Sequence, residues 1–588
     1  MNSLFGNFSS SWKKKFLLLV LSMLLPTFGM SNSVMAAEQI YAAYSILEIP
    51  IPVMSLETYT KTGIIDDKLA VYQQYISSDK LQKLRKILLS NVKITPAVAS
   101  QFLHTQQGEF MLQRLAKLIT AKSPQNKSEI EDLRTAIISA SGEPEGLTLL
   151  NLLRNYPSSS IRLNLADSLE IAGELENIIS ETQQAIAILQ QQSKIEAATI
   201  PKKNLSFLAN LQNPGIFTFK KSTLEFFDIT RDRHLLTDIY IPNLQNTTPV
   251  IVISHGLGLD SSNFRYLAKH LASHGFAVVV PNHPYLFFNN RNNRKLQEAN
   301  EFINRPLDIK YILDKLEKAN QSDGEFKGKL NLQQVGIFGQ SFGGYTALAL
   351  AGAKINFQQL QKDCQPDALQ DTWNMSLLLQ CRALELQNQA TQQENINLRD
   401  QRIKAAIAVN PITSSIFGES GLNQMQTPVM FIGSSEDTVA PALYEQILPF
   451  SWLTNPHKYL VMLVGATHFS SIGNSNPGSQ QIALPPDMVG NASQSRAYIN
   501  SLSLPFFQTF VYQKPQYLPY LNAGYAQTIS SQSLGLSLVK SLNTLQLAPI
   551  LEHNHQPAIP KKKLSLTIVR WGFWILNIGV SLLHLLIF

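Results

Sequence analysis

The spacing of hydrophobic residues changes once along the chain, close to residue 215. Before that point apolar residues repeat with a helical period. In the segment 78–89, for example, Leu81, Leu84 and Leu88 fall on one face of a helix. Further stretches of this kind continue to about residue 200 and carry no grouping of catalytic residue types. We therefore expect residues 37–200 to form an all-helical accessory domain.

After a polar linker at 201–214, the pattern becomes that of strands. Residues 223–230 and 234–242 alternate between apolar and polar, which predicts two strands around a turn. Continuous apolar runs then alternate with helical stretches, at 249–254, 276–281, 335–340, 403–409, 427–433 and 458–464. Such alternation predicts an α/β fold, with a mostly parallel sheet that is covered by helices on both faces and ends at the last run.

One of these runs is followed by a candidate nucleophile. The run 335–340 leads into Gly339-Gln340-Ser341-Phe342-Gly343, a Gly-x-Ser-x-Gly pattern, and a helix-forming stretch follows at once. A strand, a tight turn and a helix expose the serine at the apex of the turn, and the glycines let strand and helix approach closely. Ser341 is therefore the predicted nucleophile.

A serine hydroxyl needs a base, and the base needs a carboxylate that orients it. Asp437 follows the run 427–433 and His468 follows the run 458–464, in the order nucleophile, acid, histidine. The alternatives are a turn or a helix cap for Asp437, the neighbouring Glu436 as the acid, and a structural loop role for His468. We predict Asp437 as the acid and His468 as the base.

Acyl transfer also needs N–H groups that stabilise an oxyanion. The predicted donors are the backbone N–H of Phe342, next to the nucleophile, and that of Leu257, in the loop after the run 249–254. His255 and His283 are interpreted as structural residues.

Three motifs carry a family resemblance, at 254–258, 271–276 and 339–344. Together they resemble the platelet-activating-factor acetylhydrolase branch of the α/β-hydrolases, and secreted lipases, polyester hydrolases and dienelactone-hydrolase-like proteins share parts of the pattern. The resemblance covers residues 215–515 and implies the α/β-hydrolase fold, Ser341 as nucleophile, and Leu257 and Phe342 as oxyanion donors.

One position departs from that branch. Its acid follows the strand after the nucleophile helix, where this chain has Asn410, and an asparagine carries no negative charge. The segment 437–441 instead looks like the one that carries the acid of polyester hydrolases. The region before the linker resembles a bacterial domain of unknown function that is often found ahead of such hydrolases.

Both ends of the chain have apolar segments beside lysine triplets. Residues 1–36 resemble a signal peptide cleaved near Ala36 or Ala37, the alternative being an uncleaved anchor. After an extension at 516–560, the tail 561–588 is apolar enough to enter a bilayer, the alternative being a packed helix. We expect an exported protein, periplasmic or extracellular, that associates with a membrane through this tail.

Composition narrows the classes of partner. The 588 residues carry a net charge of +7, and part of that excess lies in the two lysine triplets rather than on a basic stripe, so we expect no nucleic-acid partner. The two cysteines, Cys364 and Cys381, favour a disulfide in an oxidising compartment over two buried thiols. They make no zinc site, and no other cofactor is implied.

Two inserts interrupt the strand pattern. The segment 354–400 holds both cysteines and the run Leu377-Leu378-Leu379, which either covers an apolar substrate or packs on the core. The polar segment 470–495 is a candidate lid. The expected function is that of an exported serine esterase acting on lipid or small acyl esters, and the alternative is a non-catalytic envelope protein that uses a hydrolase fold for binding.

Overall fold

The computed structural model describes residues 37–44, 47–73, 78–92, 94–104, 106–122, 128–201, 211–284, 294–322, 324–389, 396–474 and 489–552. The predicted signal peptide and the predicted membrane tail lie outside these residues, as does most of the candidate lid. The described chain forms two compact units, one of residues 37–103 and 109–169, the other of 104–108 and 170–552.

The first unit mixes helices with short strands. Its helices are α1 (Val53–Thr62), α2 (Asp67–Gln73), α3 (Ser78–Leu89), α4 (Pro96–Leu103), α5 (Gln106–Ala116), α6 (Glu129–Ser141) and α7 (Leu149–Arg154). Its strands are β1 (Gln39–Tyr44), β2 (Leu47–Pro52), β3 (Asn91–Val92), β4 (Ile119–Ala121), β5 (Leu147–Thr148) and β6 (Ser160–Asn164).

The prediction of an all-helical N-terminal domain was wrong. Four of these strands form a sheet in the order β2-β1-β6-β4, and β3 pairs with β5. β1 is antiparallel to β2 and parallel to β6. These strands have two to six residues, and at that length a period of two is not distinguishable from part of a helical pattern.

The second unit is built on a nine-stranded sheet, in the order β15-β14-β13-β12-β11-β9-β10-β8-β7. The strands are β7 (Phe219–Asp228), β8 (Arg233–Pro242), β9 (Thr248–Ser254), β10 (Ala277–Pro281), β11 (Leu330–Gln340), β12 (Ile403–Val409), β13 (Val429–Ser434), β14 (Lys458–Val464) and β15 (Gly535–Val539). The six strands β9 to β14 are parallel to one another, whereas β7, β8 and β15 add antiparallel edges.

Helices cover both faces of this sheet. They are α8 (Leu165–Ala198), α9 (Arg265–Ser273), α10 (Arg294–Ser322), α11 (Phe342–Ala351), α12 (Phe357–Asp363), α13 (Pro366–Asp371), α14 (Met375–Gln380), α15 (Leu384–Gln389), α16 (Ser414–Leu422), α17 (Leu448–Trp452), α18 (Ala492–Phe510), α19 (Ala523–Ile529) and α20 (Thr544–Glu552). Short 3-10 turns lie at Ser261–Phe264, Cys381–Ala383 and Pro515–Tyr520, and a π-helical turn lies at Leu443–Ile447.

The central strands divide their side chains between two cores. Along β9, Val250 and Val252 pack into the core under α10 and α11, whereas Ile251 and Ile253 pack into the core under α9 and α18. All residues of β9 are buried, so the strand has no solvent-facing side and its sequence is continuously apolar. The predicted α/β-hydrolase fold is confirmed.

Two parts of the second unit lie beyond the stretch 215–515 that we assigned to the hydrolase. The sheet does not end at β14, because β15 pairs with it in antiparallel register. Helix α8 also contributes, since Ala185 and Leu189 are fully buried in the same core as strand β9. Among the residues that the structure describes, no helix combines the length and the apolar character that a membrane span requires.

Candidate functional site

Ser341 occupies a strained turn between β11 and α11. Its φ of 56° and ψ of −119° are unusual for a residue with a side chain. Its backbone N–H donates to the carbonyl of Val409 at the end of β12, with an N–O distance of 2.8 Å. The flanking glycines are required by contact: a Cβ on Gly339 would lie 1.9 Å from the oxygen of Gly343, and one on Gly343 would lie 2.0 Å from that of Ser254.

His468 and Asp437 lie in contact at the ends of β14 and β13. His468 Nδ1 lies 2.7 Å from Asp437 Oδ2, and both residues are buried. The other carboxylate oxygen, Oδ1, accepts the N–H groups of Val439 and Ala440, at 2.9 and 2.7 Å. The carboxylate therefore both closes a turn and holds the imidazole, while the neighbouring Glu436 is exposed.

Two amide side chains tie the histidine loop to the strand ends around Ser341. Gln340, the residue before the serine, donates from Nε2 to the carbonyl of His468 at 3.3 Å. Asn410 donates from Nδ2 to the same carbonyl at 3.1 Å and to the Ser434 hydroxyl at 3.1 Å. The Asn410 side chain, at the acid position of the acetylhydrolase branch, thus contacts the backbone of the histidine.

The loop after β9 passes close to the nucleophile. A Cβ on Gly256 would lie 2.4 Å from Gln340 Oε1 and 3.3 Å from Ser341 Cβ, so a side chain there would displace the Gln340 amide. The next residue, Leu257, is 51% exposed, whereas Phe342, at the start of α11, is buried. The two predicted oxyanion donors therefore belong to the two segments that flank Ser341.

Cys364 and Cys381 form a disulfide within the insert 354–400. The insert contacts the loop of Asp437, because the N–H of Ser376 donates to the carbonyl of Val439 at 2.8 Å. Leu377, Leu378 and Leu379 are buried, which favours packing over a substrate-covering role for this run.

Two contributors to the site leave no signal in the sequence. Gln340 lies inside the Gly-x-Ser-x-Gly pattern at a position that the pattern leaves open. Arg305 lies on α10, far from the motifs in sequence, and its contact with the loop after β9 depends on the tertiary fold. In the described part of the chain, no group of three or more His, Cys, Asp or Glu side chains is arranged to hold a metal ion.

Two family models match parts of the chain. Residues 36–164 match a family described as alpha/beta hydrolase of unknown function (DUF1400), and residues 210–363 match the chlorophyllase family. The second match runs from just before β7 to the end of α12 and includes Ser341. A search of curated proteins found no match. Together with the nine-stranded, mostly parallel sheet, the two matches support placing the chain in the alpha/beta hydrolase superfamily.

Proposed function

We propose that this hydrolase is a serine esterase that cleaves carboxylic esters through an acyl-enzyme intermediate. The observation that carries the proposal is the contact of 2.7 Å between His468 and Asp437, in a loop that Gln340 fastens to the turn of Ser341. A base oriented by a carboxylate beside a serine at a strained turn is the arrangement that makes a serine hydroxyl nucleophilic.

The first half of the reaction forms the acyl-enzyme. Asp437 accepts a hydrogen bond from the Nδ1–H of His468, which leaves Nε2 unprotonated and able to take the proton of the Ser341 hydroxyl. The serine oxygen attacks the ester carbonyl carbon, and the N–H groups of Leu257 and Phe342 stabilise the oxyanion. The intermediate then expels the alcohol, which receives its proton from His468.

The second half releases the acid. Water gives a proton to His468 and attacks the acyl carbon, and the resulting intermediate breaks its bond to the Ser341 oxygen. The serine recovers its proton from the imidazole, so the enzyme returns to its starting state. Besides the ester and one water molecule, these steps involve only residues of the chain.

Labelling with a fluorophosphonate probe tests this proposal. The probe reacts with activated serines, so the wild-type protein is expected to be labelled and Ser341→Ala is expected not to be. Absence of labelling in the folded wild-type protein would contradict the esterase proposal and favour a binding protein on a hydrolase fold.

We further propose that the protein is exported and that its tail associates with a membrane. Support comes from the lysine triplet and apolar run in residues 1–36, and from the apolar segment 564–588. Removal of 564–588 is expected to release activity from the membrane fraction. Unchanged fractionation would count against the anchor.

A further inference from the structure

Two backbone carbonyls of the loop after β9 form hydrogen bonds with buried side chains, one with an imidazole and the other with a guanidinium. The carbonyl of Gly256 lies 2.8 Å from Nδ1 of the His255 ring and also accepts the N–H of Leu259 at 3.4 Å. The carbonyl of His255 accepts a hydrogen bond of 2.8 Å from the Arg305 guanidinium. Both peptide groups of this loop segment are therefore fixed by side chains.

Fixing these carbonyls also aims the N–H groups. A trans peptide is planar, and its C=O and N–H bonds point in opposite directions. The carbonyl of Gly256 shares its peptide with the N–H of Leu257, so the His255 ring sets the direction of that N–H. This N–H is the proposed oxyanion donor, and an oxyanion donor is effective only when it is oriented before the reaction.

The hydrogen bonds of His255 define its tautomer. Its Nε2 accepts the backbone N–H of His283 at 3.1 Å, so Nε2 carries no proton and Nδ1 is the nitrogen that donates to Gly256. Burial, with the positive charge of Arg305 and the nearby His283, lowers the pKa of His255 well below its ordinary value. The neutral ring is the form that these contacts require.

His283 is itself held on both sides. Its Nδ1 lies 3.0 Å from a carboxylate oxygen of Asp308, and its Nε2 lies 3.0 Å from the Ser254 hydroxyl. Asp308 also receives hydrogen bonds of 2.7 and 2.6 Å from Arg233. The support behind His255 is thus a buried polar network that links His283, Asp308 and Arg233.

Arg305 connects the two donor segments. Besides its bond to His255, its guanidinium lies 4.7 Å from the centre of the Phe342 ring. Glu301, one helical turn away, balances its charge at 3.6 Å. A single buried side chain therefore contacts both the loop of Leu257 and the residue that provides the other N–H.

We propose that His255 is a positioning residue of the oxyanion hole, which orients the Leu257 N–H by holding the Gly256 carbonyl. The inference rests on the proposed esterase function. His255 does not touch the substrate and takes no proton from it. Its contribution is to keep the donor aimed at the site next to Ser341.

Two variants separate this role from simple structural support. Asparagine places an amide nitrogen near the position of Nδ1, so His255→Asn keeps a donor for Gly256, whereas His255→Leu does not. His255→Leu is expected to lower kcat by about tenfold to a thousandfold, with KM changed by less than about threefold, because a misaimed donor weakens transition-state binding. His255→Asn is expected to recover most of that loss.

The matched control is His270→Asn, which removes another buried imidazole outside the site. Its kcat is expected to stay within about twofold of wild type for the folded protein. The pH dependence of kcat/KM should keep its acidic limb in all three variants, because His468 remains the base. Thermal unfolding of each variant reports the folded fraction.

Three results would overturn the inference: an unchanged kcat in His255→Leu, equal losses in His255→Leu and His255→Asn, or a shifted acidic limb in His255→Asn. Fluorophosphonate labelling of the wild-type protein separates this failure from that of the esterase proposal. If the wild type and His255→Leu are labelled at the same rate, the esterase proposal stands and only the proposed role of His255 is contradicted.

Discussion

The second unit contains two sets of the same three side chains, Ser–His–Asp, around one sheet. In the first set the imidazole lies 2.7 Å from the carboxylate, and in the second set this distance is 3.0 Å. The first set is Ser341, His468 and Asp437, and the second set is Ser254, His283 and Asp308. The three residue types and a contact between the imidazole and the carboxylate are therefore not enough to identify a catalytic site.

The surroundings of the serine differ. Ser341 is partly exposed at a turn with a φ of 56°, whereas Ser254 is fully buried as the last residue of β9. The hydroxyl of Ser254 is also hydrogen-bonded to Nε2 of His283, which is itself buried. On this basis we propose that the first set performs the chemistry and that the second set supports the loop beside it.

The largest expected difference is between the two serines. Ser341→Ala should lower kcat for p-nitrophenyl acetate by about 10⁶-fold, because the nucleophile is lost. Ser254→Ala removes one hydrogen bond of the supporting network and should lower kcat by less than about tenfold. Steady-state hydrolysis by the two purified variants measures this. A comparable loss of kcat in both variants would contradict the assignment of Ser341 as the nucleophile and Ser254 as a supporting residue.

The two aspartates should separate activity from stability. Asp437→Asn should lower kcat by about 10⁴-fold, since the imidazole loses its orienting carboxylate, with a small change in the free energy of unfolding. Asp308→Asn removes one of the two buried carboxylates that pair with Arg233, the other being Glu301, and should cost about 1.5–3 kcal/mol of that free energy. Urea unfolding and ester hydrolysis, measured on both variants, give the two effects. Equal unfolding midpoints would contradict the structural role of Asp308.

Acidification should act on the buried imidazole of the second set. Burial lowers the pKa of His283, although its hydrogen bond to Asp308 opposes the shift. Because the unfolded chain takes up the proton first, the free energy of unfolding should fall as the pH drops below about 6.5, by at most about 1.4 kcal/mol per pH unit for this group. We expect the free energy of unfolding, measured with urea between pH 7.5 and 5.5, to change less with pH in His283→Gln than in the wild type. The same change with pH in both proteins would show that His283 is not responsible for this dependence.

The smallest expected effect concerns the exposed side chain beside the nucleophile. Leu257 is proposed to act through its backbone N–H, so Leu257→Ala should change kcat for an acetyl ester by less than about threefold. Its exposed side chain favours contact with an apolar acyl group, so kcat/KM for long-chain p-nitrophenyl esters should fall further. A larger loss with the acetyl ester than with the long-chain ester would contradict this.

Much of the sheet could be predicted because its strands are buried on both faces. Strands β12 and β14 begin and end where the apolar runs do. Strand β15 was missed because its five residues lie far along the chain from β14, with which they pair. The N-terminal sheet was missed because short strands such as β6 lie among helical segments.

The part of the candidate site that could be predicted is the set of residues that follow the strands in a fixed order along the chain. The order of Ser341, Asp437 and His468 could be deduced from the strand pattern, and the structure brings the last two into contact. The support behind the loop after β9 was not predictable, because Arg305 contacts the His255 carbonyl and Asp308 contacts His283 from a helix that is distant in sequence. Such contacts leave no periodic signal in a single sequence.

Peptide mapping of a fluorophosphonate adduct distinguishes the two serines within one protein molecule. We expect an adduct on the peptide that contains Ser341 and none on the peptide that contains Ser254. An adduct on Ser254, or no adduct on a folded wild-type protein, would contradict this expectation.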